Sequence, residues 1–434
     1  MTVYPVAGSK WVDVQKGEVS RDVFVDDGIY HTELEKIFNK TWGFLAHETE
    51  IPAPGDYVVR KLGIAEVVVA RDRQGKLQAF LNSCRHRGAQ VCRADSGNAR
   101  NFVCPYHGWT YDQTGALLTT TFDKHLPKDV DMSALGLPKV PRLEVYKGLI
   151  FGAWDADIVP VASYIGDFAW YLDPFLSRSP GGMEVLAPPH RWRAKCNWKV
   201  GALNFVGDAQ HILTTHVGPL TLDPVRAARS GFATAAENSF QVVDERGHGC
   251  TLTYLAPGLP EEAYQTHPKD LDQIYRETLQ PGQMEMLNRL RVIVGTIFPN
   301  LSFIETQVGP AEKAVIMRQW QPVSGTEMEI RSWILAEREA TPEYKSNVLR
   351  KGFHNFGAAG VFEQDDVELW ASATLASDNT IARQFPYSFH TALPYLNNPD
   401  EAHQGPCKVF RPADTEVAQL EFMRRWGQLM EPIA

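Results

Sequence analysis

The residues best suited to chemistry in this chain are a quartet of metal donors, Cys84-Arg85-His86 and Cys104-Pro105-Tyr106-His107, with 17 residues between the halves. Each half pairs one thiolate with one imidazole. Thiolates suit iron–sulfur clusters, and imidazole suits iron as well. A [2Fe–2S] cluster with two cysteines on one iron and two histidines on the other needs this composition. Its neutral imidazoles raise the potential far above that of an all-cysteine cluster. A structural zinc site accepts the same four residues, but zinc spacing commonly keeps like ligands together, cysteine with cysteine and histidine with histidine. Here each half mixes the two types, with a single residue between Cys84 and His86. The pattern favours the iron cluster.

A second group lies in Asn204-Phe-Val-Gly-Asp208-Ala-Gln-His211, followed by His216. Asn204, Asp208 and His211 fall at i, i+4 and i+7, which places them on one helical face. His216 follows His211 by five residues, about 140° around an ideal helix. Both imidazoles reach one metal only if the helix loosens or ends between them, and Thr214-Thr215 with Val217-Gly218-Pro219 allows that break. Two histidines and a distant carboxylate form the facial triad of non-haem Fe(II) oxygenases, which leaves coordination positions open for O2. Candidate carboxylates lie in the acidic run Glu363-Gln364-Asp365-Asp366-Val367-Glu368. Alone, such a histidine pair is more often structural and such a run more often a solvated face or a helix start. Their coexistence with the first quartet carries the reading.

The elements that must position these groups are legible in outline. The chain has 434 residues, enough for two domains. Asp27 to Trp42 reads as a short amphipathic helix with Ile29, Leu34, Ile37 and Phe38 on its apolar side. From about residue 48 the texture turns to short β pieces, Tyr57–Val59, Ala65–Ala70, Leu77–Leu81 and Asn101–Val103. Turn signals at Pro54-Gly55, Gln74-Gly75 and Thr114-Gly115 separate them. This is an all-β domain ending near Trp154. Beyond Val159 the chain mixes helical periodicity at Trp198–His216, a helical stretch at Lys269–Leu290 broken at Pro281-Gly282, and strands at Lys313–Trp320 and Glu327–Leu335. The fold class is α+β: an N-terminal all-β cluster domain and a C-terminal domain with an antiparallel sheet flanked by helices. The boundaries expected are a helical segment at 1–42 packing on the C-terminal domain, the cluster domain at 43–156 and the C-terminal domain at 157–434.

Bulk properties remove other classes. A net charge of −9, from 43 basic and 52 acidic residues, argues against nucleic acid or an anionic membrane as the main partner. No apolar run approaches the ~20 residues of a membrane helix, and Met1–Trp11 lacks the pattern of a secretory signal. A cytoplasmic protein is expected. Six scattered cysteines do not make a disulfide framework. Cys92, Cys196, Cys250 and Cys407 read as inert core residues.

With these residues in hand, the chain resembles the large (α) subunit of Rieske non-haem iron ring-hydroxylating oxygenases across nearly its whole length, and the naphthalene and biphenyl dioxygenase group in particular. Arg87-Gly88 and Gly108-Trp109 match the Rieske loops. The further cysteines of respiratory Rieske proteins are replaced by Ala89 and Tyr106, which points to the ferredoxin or oxygenase type. Phe44-Leu-Ala-His-Glu48, Gly55-Asp-Tyr-Val58 and Tyr146-Lys-Gly-Leu-Ile-Phe-Gly152 look like its polycyclic-aromatic branch.

The resemblance implies roles residue by residue. Cys84, His86, Cys104 and His107 hold the Rieske cluster. His211 and His216 hold the mononuclear Fe(II), with Asp366 as third ligand ahead of Asp365. Asp208 bridges the cluster of one subunit and the iron of the next, and Asn204 sits beside the iron. Phe205, Phe298, Leu301, Phe303 and Phe356 resemble pocket-lining positions, with plain core packing an equal reading. Where the family often has tyrosine two residues after the bridging aspartate, this chain has Gln210, which puts the local packing in doubt. Arg226, Arg229 and Arg383 are candidates for holding a substrate carboxylate, against a plain surface role.

The implied activity is cis-dihydroxylation of an aromatic hydrocarbon or aromatic carboxylate with O2. The implied partners are a ferredoxin and an NADH-dependent reductase, a small β subunit and an α3β3 or α3 assembly. No dinucleotide-binding G-x-G-x-x-G follows a strand, so NADH is used only indirectly. Monooxygenation or demethylation by the same iron is the alternative outcome, and a non-catalytic Rieske electron carrier is the alternative class.

Overall fold

The computed structural model describes residues 9–121, 127–222, 238–255, 267, 269–307, 313–403 and 405–431. The chain divides into two compact units, one of Phe38–Val161 and one of Met1–Ile37 with Ala162–Ala434.

The smaller unit is built from three antiparallel sheets. The largest runs in the order Leu77–Leu81, Ala65–Arg71, Asp56–Leu62, Ser96–Asn98. Its second strand, Ala65–Arg71, reads as a continuous apolar run because both of its faces are covered. Val67 and Val69 join one core cluster with Leu45, Val58 and Ile150. Val68 and Ala70 join another with Tyr57, Phe80 and Phe102, and that cluster also holds Cys84 and Cys104. Successive side chains of a strand point to opposite faces, so one strand serves two cores. The second sheet, Leu117–Thr119, Thr110–Asp112, Asn101–Val103, carries the second donor pair directly after its edge strand. The three turn glycines expected from sequence, Gly55, Gly75 and Gly115, all adopt positive φ.

The larger unit centres on one long antiparallel sheet. Its order is Met183–Val185, Glu327–Glu337, Lys313–Ser324, Leu301–Gln307, Leu290–Ile297, Gly249–Tyr254, Ser239–Val243, Lys408–Phe410. His190–Ala194 also pairs with Glu327–Glu337. Helices Trp198–Gly207 and Val417–Met430 pack on each other and on this sheet. The all-β unit and the helix-flanked antiparallel sheet make the α+β class expected. Among the described residues, no helix is long and apolar enough to cross a membrane.

Three local expectations are corrected. The helix expected over Asp27–Trp42 is regular only for Asp27–Glu33 and widens into a π turn over Leu34–Phe38, where it stops. Glu33 at the transition is buried and committed to tertiary bonds. The break expected at Pro281-Gly282 falls two residues earlier, at Leu279-Gln280, and Pro281 is the first residue of helix Pro281–Arg289. Proline suits that position, because its fixed φ is helical and its missing N–H would have had no helical partner. The helix that the spacing carries as far as His211 ends at Gly207, and this change reshapes the second site.

Candidate metal centres

The two cysteine–histidine loops are near copies of each other. In each, the cysteine N–H donates to a carbonyl five residues on, Cys84 to Ala89 at 2.9 Å and Cys104 to Trp109 at 2.8 Å. In each, the cysteine carbonyl accepts from a glycine four residues on, Gly88 at 2.9 Å and Gly108 at 3.0 Å. Both glycines stand at positive φ, 76° and 70°, a conformation that costs glycine nothing. A Cβ on Gly108 would also lie 2.6 Å from Thr121 Oγ1. The tight loops bring the His86 and His107 rings to 4.5 Å. His86 stacks flat on Trp109 at 5.0 Å and 4°.

The thiols are buried at 3% and 2% exposure, while His86 is exposed and His107 half-buried. Tyr111 Oη lies 3.2 Å from Cys84 Sγ and accepts from Arg85 N at 3.1 Å. Desolvation, His86 and Arg87 together lower the His107 pKa, favouring the neutral imidazole that binds metal. Neither cysteine is in a disulfide. Two sheltered thiols beside two adjacent imidazoles fit the donor set of a Rieske cluster. Cys92, Cys196 and Cys250 are buried as expected, and Cys407 is only half-buried.

The second site depends on the end of helix Trp198–Gly207. Asp208 leaves the helical region, with φ −81° and ψ 84°. Asn204, Asp208 and His211 therefore do not share one helical face. The chain is turned by Gln241, whose Nε2 donates to the carbonyls of Gly207 and Ala413, both at 2.8 Å. Its Oε1 accepts from Ala418 N at 3.0 Å. The two histidines then flank a single short turn, Ile212–Thr215, His211 just before it and His216 just after it. Their rings lie 5.0 Å apart at 74°.

Asp366 closes the group. Its Oδ1 stands 3.5 Å from His211 Nε2 and 3.5 Å from His216 Nε2. One donor atom from each of the three residues lies within 4.8 Å of the others. The outer nitrogens are also occupied. His211 Nδ1 meets the Asp208 carbonyl at 2.7 Å and Asp208 Oδ1 at 3.4 Å. His216 Nδ1 meets Asp365 Oδ2 at 3.5 Å. Each imidazole thus has an outward oxygen partner at Nδ1 and presents Nε2 inward, an arrangement that fixes the tautomer a metal needs. Asp365 faces a histidine's outer nitrogen while Asp366 faces both inner ones.

Protonation is finely balanced there. Burial, aided by the Glu363 charge and opposed by His211, pushes Asp366 up to about 7. Burial and the His211 charge push His216 down to about 4. For His211, burial is outweighed by Asp208 and Asp366, and its pKa is raised. Two imidazoles and one carboxylate in a buried cup fit a divalent ion such as Fe(II), whose charge would take the place of these protons.

The pocket expectations divide. Phe356 lies 5.8 Å from Phe362, and the Phe362 ring is edge-on to His216 at 5.1 Å, so of the pair it is Phe362 that meets the donor group. Phe205 packs edge-on to Trp320 at 5.0 Å and beside the Arg318 guanidinium. Phe298 packs on Phe422 at 5.1 Å, and Phe303 on Phe175 at 5.0 Å and Phe168 at 6.3 Å. Leu301 is buried in the sheet opposite Ile297 and Gln319. For Phe298 and Phe303 the ring contacts are those of the core. Asn204 is half-buried on the last turn of its helix, and its carbonyl accepts from Asp208 N at 3.0 Å. Gln210 is exposed and donates to the Asp414 carbonyl at 2.6 Å. Arg383 is engaged by Asp378 at 3.0 Å, Asp26 at 3.5 Å and Asp22 at 3.7 Å, which makes it structural. Arg226 and Arg229 lie outside the described residues.

Phe362 and the orienting position of Asp365 were not distinguished by sequence reasoning. The signal available was their place at the start of a helix after the small-residue stretch Gly357-Ala-Ala-Gly360.

Residues 41–129 match the Rieske [2Fe-2S] domain, and residues 169–428 match the ring hydroxylating alpha subunit (catalytic domain). The chain is similar to the N,N-dimethyl phenylurea N-demethylase subunit alpha of Sphingobium sp. (strain YBL2), 32% identical over 95% of this chain and 91% of that one. It is 33% identical to the biphenyl 2,3-dioxygenase subunit alpha of Rhodococcus jostii (strain RHA1), over 90% of this chain and 85% of that one. Its fold superposes on the crystal structure of naphthalene 1,2-dioxygenase from Rhodococcus sp. bound to indole with a TM-score of 0.89. That match is 34% identical and covers 96% of this chain and 97% of that one. A Rieske domain followed by this catalytic domain, matched along almost the full length of such relatives, means that the chain belongs to the alpha subunits of the Rieske ring-hydroxylating oxygenases.

Proposed function

We propose that this chain is the terminal oxygenase of a multicomponent system that cis-dihydroxylates an aromatic ring. The enzyme class, an oxidoreductase incorporating O2 with a Rieske [2Fe–2S] cluster and a mononuclear iron, follows from the family. The observation that carries the finer reading is the convergence of His211 Nε2, His216 Nε2 and Asp366 Oδ1 on one point beside the Phe362 ring, which Phe356 adjoins.

In this reading Cys84, His86, Cys104 and His107 hold the cluster, and His211, His216 and Asp366 hold the iron. When bound, the two groups together supply electron storage and the activation of O2. The side chains supply placement. Asp208 and Asp365 accept from the outer imidazole nitrogens and keep the inner ones aimed at the metal. Phe356 and Phe362 offer an apolar surface against which a flat hydrocarbon ring can lie with water excluded. Electrons from NADH arrive through a reductase and a ferredoxin. Asp208 joins the cluster of one subunit to the iron of its neighbour, which requires a ring of chains, α3 or α3β3 with a small β subunit.

Turnover under ¹⁸O2, with reductase and ferredoxin supplied, tests this over naphthalene, biphenyl, phthalate and alkylbenzoates. Both hydroxyl oxygens of a cis-diol should carry label. A second reading, demethylation or monooxygenation, is favoured by the similarity to the phenylurea N-demethylase subunit. It predicts formaldehyde from an N-methyl substrate, or one labelled oxygen, and no diol. A Rieske electron carrier would hold two irons per chain where the oxygenase holds three.

A further inference from the structure

The strand Lys313–Ser324 buries a guanidinium in its middle. Arg318 is fully buried at 0% exposure, in a run where Ala314, Val315, Ile316, Met317 and Trp320 form core. Its Nη1 donates to Glu363 Oε2 at 2.5 Å and its Nη2 to the Phe356 carbonyl at 2.8 Å. Phe356 is the last residue of helix Pro342–Phe356, and Glu363 is the first of helix Glu363–Ser377, one turn ahead of Asp366. The two bonds grip the connection 357–362 at both ends, and Phe362, at its close, lies against His216. The guanidinium also stands 5.3 Å from the ring of Phe205, on the helix that ends just before Asp208, and 5.4 Å from Trp320 and Trp192. One side chain touches both ends of the connection and the helix leading into the histidine segment.

For stability alone this is a weak device. Packed hydrophobic residues of similar volume often match or exceed a buried ion pair. An apolar side chain could not fix a connection at two points, and a lysine offers a point charge in place of a planar fork. We propose that Arg318 is a positioning residue for the metal centre: by clamping the 357–362 connection it sets where Asp366 and Phe362 stand against the two imidazoles. The inference rests on the metal-centre reading proposed above.

Cobalt(II) serves as the probe. The full chain is stripped of its mononuclear metal by a chelator, with the cluster absorbance retained, and Co(II) is titrated while its visible d–d bands are recorded. Wild type should bind one Co(II), and His211→Ala should bind it far more weakly. With melting temperature and cluster absorbance monitored, Arg318→Met should weaken Co(II) binding by at least ~10-fold, the range expected when a group that orients a ligand is lost. Its d–d bands should also change. Arg318→Lys should fall between the two. Wild-type affinity and bands in Arg318→Met would overturn the inference alone. If that variant does not fold, wild-type behaviour of Arg318→Lys overturns it instead. A wild-type chain that binds no Co(II), or a His211→Ala variant that binds it unchanged, would bring down the metal-centre reading as well.

Discussion

His211 and His216 show how much of a metal site is decided at the nitrogen atom opposite the metal. His211 Nδ1 is engaged by Asp208 and His216 Nδ1 by Asp365, so the two Nε2 atoms have one direction left. Replacing His211 with alanine should reduce iron from three to two per chain while the visible spectrum of the cluster is retained, which iron analysis and absorption read separately. Loss of the cluster spectrum as well would mean that the two centres are not independent. The donor residues were legible in sequence because each pair is close along the chain and its chemistry is carried by residue type. Spacing alone left Asp365 and Asp366 open, and only the resemblance put Asp366 first. Neighbours on a helix point about 100° apart, and only the direction of helix Glu363–Ser377 decides which one faces the imidazoles. Arg318 was likewise illegible, because a cation inside a strand pattern gives no hint of what lies across from it.

Helix ends do much of the placing. Helix Trp198–Gly207 carries a sequence that could continue, and spacing alone extended it through His211. It stops because Gln241, 174 residues from Thr415 and 34 from Gly207 in sequence, takes the Gly207 carbonyl and holds the start of helix Val417–Met430. A tertiary hydrogen bond between distant residues leaves no local signature, which is why the strands, with their period of two, were easier to find than this break. Gln241 is fully buried. Gln241→Leu would leave the Gly207 and Ala413 carbonyls and the Ala418 N–H without their side-chain partner. At about 1–3 kcal/mol for a buried group left unsatisfied, the variant should lose at least ~2 kcal/mol and bind iron more weakly. Thermal melts and iron content check this. A normal melt with normal iron content would show that the helix end is set by something else. The same logic applies to Glu33, which accepts from Trp198 Nε1 at 2.8 Å and Trp426 Nε1 at 2.7 Å and pairs with Lys199. It ties the N-terminal segment to both helices.

At the scale of the larger unit, one buried network of charges should respond to acid. Arg178 contacts Glu305 and Glu337, both at 2.6 Å, and Lys313 contacts Glu305 at 2.6 Å. Burial alone would raise the Glu337 pKa, but Arg178 and Lys313 outweigh it and hold the carboxyl down to about 2. Glu305 is lowered by the same balance. A folded pKa below the unfolded value of about 4.3 means that the network stabilises above that pH and loses its contribution as pH falls toward 2. Arg178→Met should therefore cost about 3–5 kcal/mol near neutral pH, the usual result of removing one partner from a buried pair. Its penalty should shrink at pH 4, where the stranded carboxyls take up protons. Melting wild type and variant at pH 7 and pH 4 gives the comparison. A gap that widens on acidification would contradict the assignment.

The twin loops of the smaller unit are lopsided, with sulfur sealed inside and nitrogen turned outward. Anything arriving from water, whether a redox protein or a small reagent, meets ring edges before it meets sulfur. Alkylating agents aimed at cysteine should therefore find little to attack at Cys84 and Cys104 while the loops stay closed, whereas acylating agents aimed at imidazole have His86 in plain view. An electron entering this end of the molecule has its shortest doorway through a histidine.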